Sequence, residues 1–239
     1  MARQRTRVPL NVFQNGRLVG QLKRETSGAI KFRYATGWLN WEHTFPVSLS
    51  LPLREDQYKG DPVIAVFDNL LPDDSQIRVR LAERTKAGGT DVFSLLTAIG
   101  RDCVGALQFV PDGMDPGPVG ETRGRAASES EIADILINLE TAPLGVDDDG
   151  EFRISLAGAQ EKTALLYFDD AWQVPRGSTA TTHILKPQIG LRGNIDLSQS
   201  VENEYLCMTL TAELGLPTAE VSIEDFENQR PFVIQFLVE

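Results

Sequence analysis

Several segments in the first fifty or so residues alternate apolar and polar side chains in a pattern that predicts β-strands. In NVFQNGRLVGQL, Asn15–Gly16 lies between two alternating segments, which is a strong signal for a two-residue hairpin turn. The run AIKFRYA predicts a further strand. In FPVSLSLPL, Val47, Leu49 and Leu51 alternate with serines, and this predicts another strand with one buried face and one polar face.

Helical spacing of apolar residues follows in three segments. DPVIAVFDNLL is expected to end before Pro72, DDSQIRVRLAERTKAGG begins with acidic residues, and DVFSLLTAIG has Gly100 as its stop signal. The run VGALQFVPDG then predicts a strand. Further on, SESEIADILINLE carries Ser128 and Glu131 at the spacing of a capping box, so it predicts a helix.

Residues 111–126 are rich in proline and glycine and have no periodicity, which is typical of a connection between domains. We therefore expect an N-terminal, β-rich subdomain with helices over residues 1–110, a linker over 111–126 and a second domain over 127–239.

The second domain has an informative order of elements. Four strands are predicted, over FRISL, TALLYF, AWQV and TTHILKP. A turn of small residues, Ala157–Ala159, follows the first strand, and Lys186 lies near the end of the fourth. DLSQSVENEYLCMTLTAELGL predicts one main helix, capped near Ser198 or Ser200 and ended by Gly215, and two strands close the chain. This is the order of the small lobe of a protein kinase, so we expect an α+β fold with an antiparallel sheet.

Composition limits the range of functions. The net charge of −11 and the pI of about 4.7 argue against a chain that grips nucleic acid through its overall field. No apolar run is long enough to span a bilayer, and no signal peptide follows Met1, so we expect a cytoplasmic protein with no membrane contact. Cys103 and Cys207 are expected to be two buried thiols, and with two histidines we expect no metal site built from His and Cys.

A small-residue loop, then a strand that ends in a lysine, then a helix: elements in this order are suited to bind nucleotide phosphates. A loop of small residues lets backbone N–H groups approach phosphates closely, and a lysine on a nearby strand supplies positive charge. Lys186 is the candidate lysine, and Glu204 is the candidate partner that holds it, with Glu202 as a weaker choice. From the residues alone, a solvated lysine at a strand end and a plain polar turn remain alternatives, because SLAGAQEK matches neither common phosphate-loop pattern.

Several long motifs resemble one family. Three motifs in the second domain are similar to the HipA family of bacterial serine/threonine kinases, which are toxins of type II toxin–antitoxin systems. They are FRISLAGAQEKTALL, TTHILKPQIG and DLSQSVENEYLCMTLTAELGLP. PVSLSLPL, VFDNLLPD and IGRDCVGAL resemble the N-terminal subdomain of the same family.

The resemblance implies ATP as the nucleotide, with Mg²⁺, and assigns roles to residues. Lys186 would contact the phosphates, Glu204 would hold that lysine, and Ser155 would be the residue that family members autophosphorylate to eject the loop. The implied ATP-binding residues are Ala157, Gly158, Ala159, Gln160, Glu161, Lys162, Lys186, Gln235, Phe236 and Leu237. The implied partners are a HipB-like helix-turn-helix antitoxin, through which DNA is reached indirectly, and a protein substrate such as glutamyl-tRNA synthetase.

The family's catalytic aspartate and its Mg²⁺ ligands lie in a C-terminal kinase lobe that we expect to be absent here, because VIQFLVE departs from the family's hinge pattern. This predicts a chain that does not transfer phosphate by itself. The alternative hypothesis is an inert lobe that acts as a binding or regulatory module for an antitoxin or a separate kinase chain. For Asp68, Asn69 and Asp73, helix capping is favoured over a metal site.

Overall fold

The computed structural model describes residues 8–103, 107–117, 124–145, 154–176 and 179–236. These residues fall into two compact units. The first comprises the described residues within Met1–Glu121 and Arg153–Ala159, and the second comprises those within Thr122–Phe152 and Gln160–Glu239.

The strands in chain order are β1 (Leu10–Gln14), β2 (Arg17–Arg24), β3 (Ile30–Tyr34), β4 (Tyr58–Lys59), β5 (Asp102–Cys103), β6 (Leu107–Pro111), β7 (Gly124–Ala126), β8 (Ile154–Ser155), β9 (Thr163–Phe168), β10 (Ala171–Pro175), β11 (His183–Lys186), β12 (Gly190–Arg192), β13 (Ile195–Leu197), β14 (Val221–Ile223) and β15 (Phe232–Gln235). The helices are α1 (Thr36–Leu39), α2 (Asp61–Asp68), α3 (Ser75–Arg84), α4 (Val92–Ile99), α5 (Glu129–Ile137) and α6 (Ser200–Glu213), with a short 3₁₀ helix at Asn138–Glu140.

The first unit is built on a sheet with the strand order β4-β3-β2-β1-β6-β5-β8. The predicted hairpin is confirmed, because Gln14 pairs with Arg17 and the two turn residues Asn15 and Gly16 both have positive φ. The inward side chains of β1, β2 and β3 are buried, and the ring of Phe32 meets that of Phe67 on α2 edge to face, with ring centres 5.3 Å apart. The helices of this unit therefore cover one face of the sheet.

The helices of this unit begin where the sequence supplies caps. The side chain of Asp74 accepts hydrogen bonds from two backbone N–H groups at the start of α3, and Asp91 does the same for α4 with one. α4 ends at Gly100, as predicted. Asp68 forms an ion pair with Arg78 at 2.7 Å, so its carboxylate stabilises the α2–α3 connection.

The predicted strand over FPVSLSLPL is wrong. Val47, Leu49 and Leu51 lie in turns and bends, and Leu49 is 93% exposed. The reason is the buried hydroxyl of Tyr34, which donates to the carbonyl of Leu51 at 2.5 Å and accepts the N–H of Val47 at 3.1 Å. These backbone groups are therefore satisfied by a side chain rather than by a neighbouring strand.

The second unit is built on a sheet with the order β14-β15-β11-β9-β10-β7, in which each described pairing is antiparallel, plus a two-stranded sheet of β12 and β13. α5 begins at the predicted cap, where Ser128 accepts the N–H of Glu131. α6 runs over Ser200–Glu213 and is followed by Gly215 with a φ of 76°. The predicted serine cap is wrong, because Gln199 takes the capping position without a side-chain bond.

The motif FRISLAGAQEKTALL differs from the β-turn-β hairpin suggested by its pattern. Within its described part, β8 pairs in parallel with β5 in the first unit, whereas β9 lies between β10 and β11 in the second. The two strands that flank the small-residue turn therefore belong to different sheets.

The expectation of two buried thiols is half wrong. Cys103 is buried in the first unit, but Cys207 is exposed on α6. Val201 is the buried residue of that helix, which leaves most of its side chains open to solvent. Across the part of the chain that the structure describes, no helix is both long enough and apolar enough to cross a bilayer.

Candidate functional site

The centre of the candidate site is an ion pair between the ammonium group of Lys186 and the carboxylate of Glu204. Lys186 is the last residue of β11, and Glu204 lies one turn into α6. The two side chains are 19% and 33% exposed, so the pair is partly buried but open to solvent at one side. The structure thus brings together the predicted lysine and its predicted partner. Glu202, the weaker choice, instead pairs with Arg230 at 3.1 Å.

The sheet register defines the surface on which the lysine lies. Lys186 is directly opposite Phe232 on β15, and its Nζ lies 5.8 Å from the centre of that ring. Residues directly opposite one another share a face of the sheet, so Ile184, Ile234 and Ala164 lie on the same face as Lys186. Lys186 therefore stands beside three apolar neighbours on this face, which suits a ligand with an apolar part and an anionic part.

The segment Pro187–Ile189 after the lysine is held at both ends. The side-chain amide of Gln160 donates to the carbonyl of Pro187 at 3.0 Å. The N–H of Ile189 donates to the hydroxyl of Ser200 at 2.9 Å. Ser200 is the first residue of α6 and lies four positions before Glu204, hence on the same side of the helix.

The six predicted loop residues are divided between the two units. Ala157, Gly158 and Ala159 belong to the first, where the carbonyl of Gly158 accepts the N–H of Asp73 at 3.2 Å. Gln160, Glu161 and Lys162 belong to the second. Gly158 has a φ of 104°, a conformation that glycine adopts without strain.

The buried lysine of the loop was not predicted as such. Lys162 is only 6% exposed and comes directly before β9. The next residue, Thr163, is fully buried and donates its hydroxyl to the carbonyl of Leu144 at 2.7 Å. The loop therefore enters the second unit through a well-packed polar segment.

The predicted residues at the end of β15 point elsewhere. Gln235 is directly opposite His183, and these two lie on the other face of the sheet from Lys186. The N–H groups of Gln235 and Phe236 donate to the carbonyls of Glu220 and Thr182, at 2.9 and 3.0 Å. The N–H groups of both residues and the side chain of Gln235, which bonds to His183, are thus used within the unit. Leu237 lies outside the described residues.

His183 lies in an aromatic cluster on this other face. Its ring is 5.0 Å from that of Trp172 and 5.9 Å from that of Tyr167, and Nδ1 lies 2.8 Å from the hydroxyl of Thr182. Burial lowers the pKa of His183, while a hydrogen bond with Gln235 and the charge of Glu224 act in the opposite direction. The imidazole has a packing role on the opposite face of the sheet from the lysine.

The structure says little about two further predictions, the phosphorylation of Ser155 and the metal ligands. The backbone of Ser155 pairs with Cys103, but its side chain lies outside what the structure describes. Among the described residues, no group of three or more His, Cys, Asp or Glu side chains is arranged to hold a metal ion.

A cavity of about 280 Å³ adjoins the segment after Lys186. Its lining includes α5 residues such as Leu136 and four residues of the loop and the strand region, namely Gln160, Pro187, Ile189 and Arg192.

The sequence did not predict the contacts made by Phe232, Gln160 and Ser200 in this region. Only Ser200 gave a signal, as a possible helix cap, and no sequence signal announces a hydrogen bond to a carbonyl 27 residues away.

Two family models match separate parts of the chain. Residues 10–110 match the family described as the HipA N-terminal domain, and residues 154–236 match the HipA-like C-terminal domain. The sheet and helix that carry Lys186 and Glu204 therefore fall within the region that the family assigns to its C-terminal domain. The expectation that a C-terminal kinase lobe is absent accordingly stays a prediction.

Relatives align along nearly the whole chain. A putative kinase, Y4mE, of Sinorhizobium fredii is 38% identical over 94% of this chain and 52% of its own length. The serine/threonine-protein kinase toxin HipA of Shewanella oneidensis is 27% identical over 91% of this chain and 47% of its own length.

A solved structure is also similar. It is that of the Shewanella oneidensis MR-1 toxin–antitoxin system HipA, HipB and operator DNA complex, with a TM-score of 0.70 and 26% identity over 95% of this chain and 50% of that chain. The chain thus spans about half the length of the relatives it matches. Two matching domains, two curated relatives and a shared mixed fold with antiparallel sheets show that this chain belongs to the HipA family.

Proposed function

We propose that this chain is the ATP-binding part of a HipA-type serine/threonine protein kinase toxin. The observation that carries the proposal is the Lys186–Glu204 ion pair between a sheet and a helix. A lysine held in this way presents a fixed positive charge to the phosphates of a nucleotide, as phosphoryl-transfer enzymes require. Two relatives named as kinases support the same conclusion.

Each predicted residue has a proposed role. Glu204 orients the ammonium group, and Lys186 contacts the phosphates. The apolar residues Ile184, Ile234 and Ala164 receive the adenine ring. The other contacts, at Gln235, Phe236 and Leu237, involve backbone carbonyl groups at the first two residues, because their N–H groups are already bonded. The loop residues Ala157, Gly158, Ala159, Gln160, Glu161 and Lys162 cover the phosphates.

The proposed regulation places phosphate on Ser155. A phosphoserine adds nearly two negative charges next to the loop, where nucleotide phosphates must approach, so it favours a displaced loop. The lysine and the loop would then no longer enclose the same ligand.

Phosphoryl transfer by the whole protein is part of the proposal, with a translation factor such as glutamyl-tRNA synthetase as substrate. Mg²⁺ supplies charge neutralisation when it is bound with ATP. The described residues include no group of three or more His, Cys, Asp or Glu side chains that could hold it.

The proposed partner is a DNA-binding, HipB-like antitoxin in the cytoplasm. The similar Shewanella structure contains HipA, HipB and operator DNA. With a net charge of −11, this chain is proposed to reach DNA through the antitoxin rather than by itself.

A second candidate function is that of a binding module without chemistry, for an antitoxin or a separate kinase chain. The exposed apolar residues of α6 favour it, since Leu206 is 56% exposed and Leu210 is 53% exposed. Two exposed leucines one helical turn apart are suited to pack against another polypeptide.

The test is calorimetric titration of the chain with ATP. We expect Lys186→Ala to weaken binding at least tenfold, because the phosphates lose their main cation. Arg230→Ala is the matched control, since it removes an exposed cation beside the same helix, where Arg230 pairs with Glu202. We expect that variant to bind within twofold of the wild type.

Two outcomes would contradict the proposal. Equal affinities of the wild type and Lys186→Ala would remove the lysine from the site. Failure of the wild-type chain to bind ATP, together with a stable complex with the antitoxin, would favour the binding module.

A further inference from the structure

Gln160, which we call the loop tip, and the first residue of α6 are both hydrogen-bonded to the same short segment of backbone. Gln160 donates to the carbonyl of Pro187, and Ile189, two residues later, donates to Ser200. The segment Pro187–Ile189 begins directly after the lysine of the ion pair. Movement of this segment therefore acts on the lysine, the loop and the helix together.

The ion pair and the Ile189–Ser200 hydrogen bond, with the chain between them, form a closed ring of contacts. From Lys186 the chain runs to Ile189, whose N–H bonds to Ser200; one helical turn leads from Ser200 to Glu204, which returns to Lys186 through the ion pair. The β12–β13 hairpin brings the two ends together, because Gly190 pairs with Leu197. The Ser200 hydroxyl thus fixes where α6 begins relative to β11.

Gln160 acts on this ring from outside. Its amide is partly buried, and its hydrogen bond spans 27 residues of sequence. The adjoining cavity of about 280 Å³ provides space into which the side chain can withdraw when the bond breaks. Loss of the bond frees one end of the segment, while Ser200 still holds the other.

We propose that Gln160 and Ser200 are positioning residues which couple the seating of the loop to the Lys186–Glu204 ion pair. When the loop tip is in place, Gln160 holds Pro187 and the pair is rigid. When the loop tip leaves, the segment loosens and the pair is formed less of the time. The inference rests on the proposed function only where ATP is the readout.

The first test needs no ligand. Amide hydrogen exchange is measured on the wild type, Gln160→Met and Ser200→Ala. We expect Ser200→Ala to speed exchange at Ile189, since its acceptor is removed, and Gln160→Met to speed it about three- to tenfold through the shared segment. Gln188→Met is the control, because Gln188 lines the same cavity and makes no side-chain hydrogen bond among the described residues.

The second test is ATP binding by calorimetry. We expect Gln160→Met and Ser200→Ala each to weaken binding about three- to tenfold, the range for one lost hydrogen bond. Ser200→Thr keeps the hydroxyl and should restore affinity to within twofold. In a Glu204→Gln background, the effect of Gln160→Met should shrink, because both changes act through one ring.

The outcomes separate the two ideas. Unchanged exchange at Ile189 and in the first turn of α6 in Gln160→Met would overturn the coupling, whatever the nucleotide result. A wild-type chain that does not bind ATP would contradict the proposed function, while the exchange experiment would still decide the coupling. Normal ATP binding by both variants would remove their positioning role.

Discussion

Lys186 and Glu204 form an ion pair across 18 residues of sequence, and a complete β-hairpin, β12–β13, lies between them. The pairing depends on the orientation of α6 against the end of β11. A helix rotated by one residue, about 100°, would direct Glu204 away from the lysine. The pair is thus a sensitive report of how helix and sheet are packed.

Removing the carboxylate tests this packing. We expect Glu204→Gln to lower the free energy of unfolding by about 1 kcal/mol, since a partly buried ammonium group loses its partner. The same variant should weaken ATP binding several-fold. Urea unfolding and calorimetry measure the two effects. Glu202→Gln is the matched control on the same helix, and its exposed pair with Arg230 should contribute less than 0.5 kcal/mol. Equal effects of the two variants would contradict a special role for Glu204.

The two hydrogen bonds of the Tyr34 hydroxyl, which we call the Tyr34 clamp, predict a large loss of stability when the hydroxyl is removed. Tyr34→Phe removes one hydroxyl and leaves the carbonyl of Leu51 and the N–H of Val47 without their partner. We expect a loss of about 1–3 kcal/mol in the free energy of unfolding, measured with urea.

The pH dependence of unfolding at alkaline pH is a second test of the Tyr34 clamp. Burial raises the pKa of Tyr34 to about 12, so the folded state favours the neutral phenol. The resulting stability is present below pH 10, the ordinary pKa, and is lost as pH rises toward 12. The difference in stability between the wild type and Tyr34→Phe should therefore narrow over that range. A constant difference would argue against a buried phenol.

His183 predicts a loss of stability in mild acid. Burial lowers its pKa below 6.5, so the unfolded chain takes up a proton that the folded chain resists. Stability from the neutral imidazole is present above pH 6.5 and declines as pH falls through the lowered pKa. Unfolding curves from pH 7.5 to 5 should show this decline, and it should be absent in His183→Gln. An NMR titration that gives His183 a pKa at or above 6.5 would contradict the prediction.

Thiol labelling tests the different burial of the two cysteines. With a chromogenic disulfide reagent, the native protein should react rapidly at one thiol, Cys207, and the second should react only in denaturant, because Cys103 is buried. Cys207→Ser should abolish the rapid phase and keep the slow one. A rapid phase that persists in this variant would mean that Cys103 is accessible in the native state.

Local signals in the sequence predicted the local structure well. The Asn15–Gly16 hairpin, the Ser128 cap, and the ends of helices at Gly100 and Gly215 each depend on residues within a few positions of one another. The backbone conformations involved are set by short-range sterics and capping bonds. Such features are encoded where they occur.

Predictions that depended on distant partners were less complete. Alternation around Leu49 indicated a strand, but a tyrosine hydroxyl 13 residues before Val47 took the backbone groups of that segment. The small-residue turn looked like part of a hairpin, yet β8 found its partner in β5, some fifty residues earlier in the chain. Periodicity cannot reveal which distant group competes for a backbone hydrogen bond.

The sequence by itself determined the family of this protein, most of the order of its elements and the pairing of Lys186 with Glu204. Tertiary structure alone decided that Gln160 and Ser200 hold the segment after Lys186, and that Gln235 lies on the opposite face of the sheet. The physical reason is that helical spacing and strand alternation are properties of neighbouring residues. The register between strands and the rotation of a helix are fixed only when distant side chains pack together.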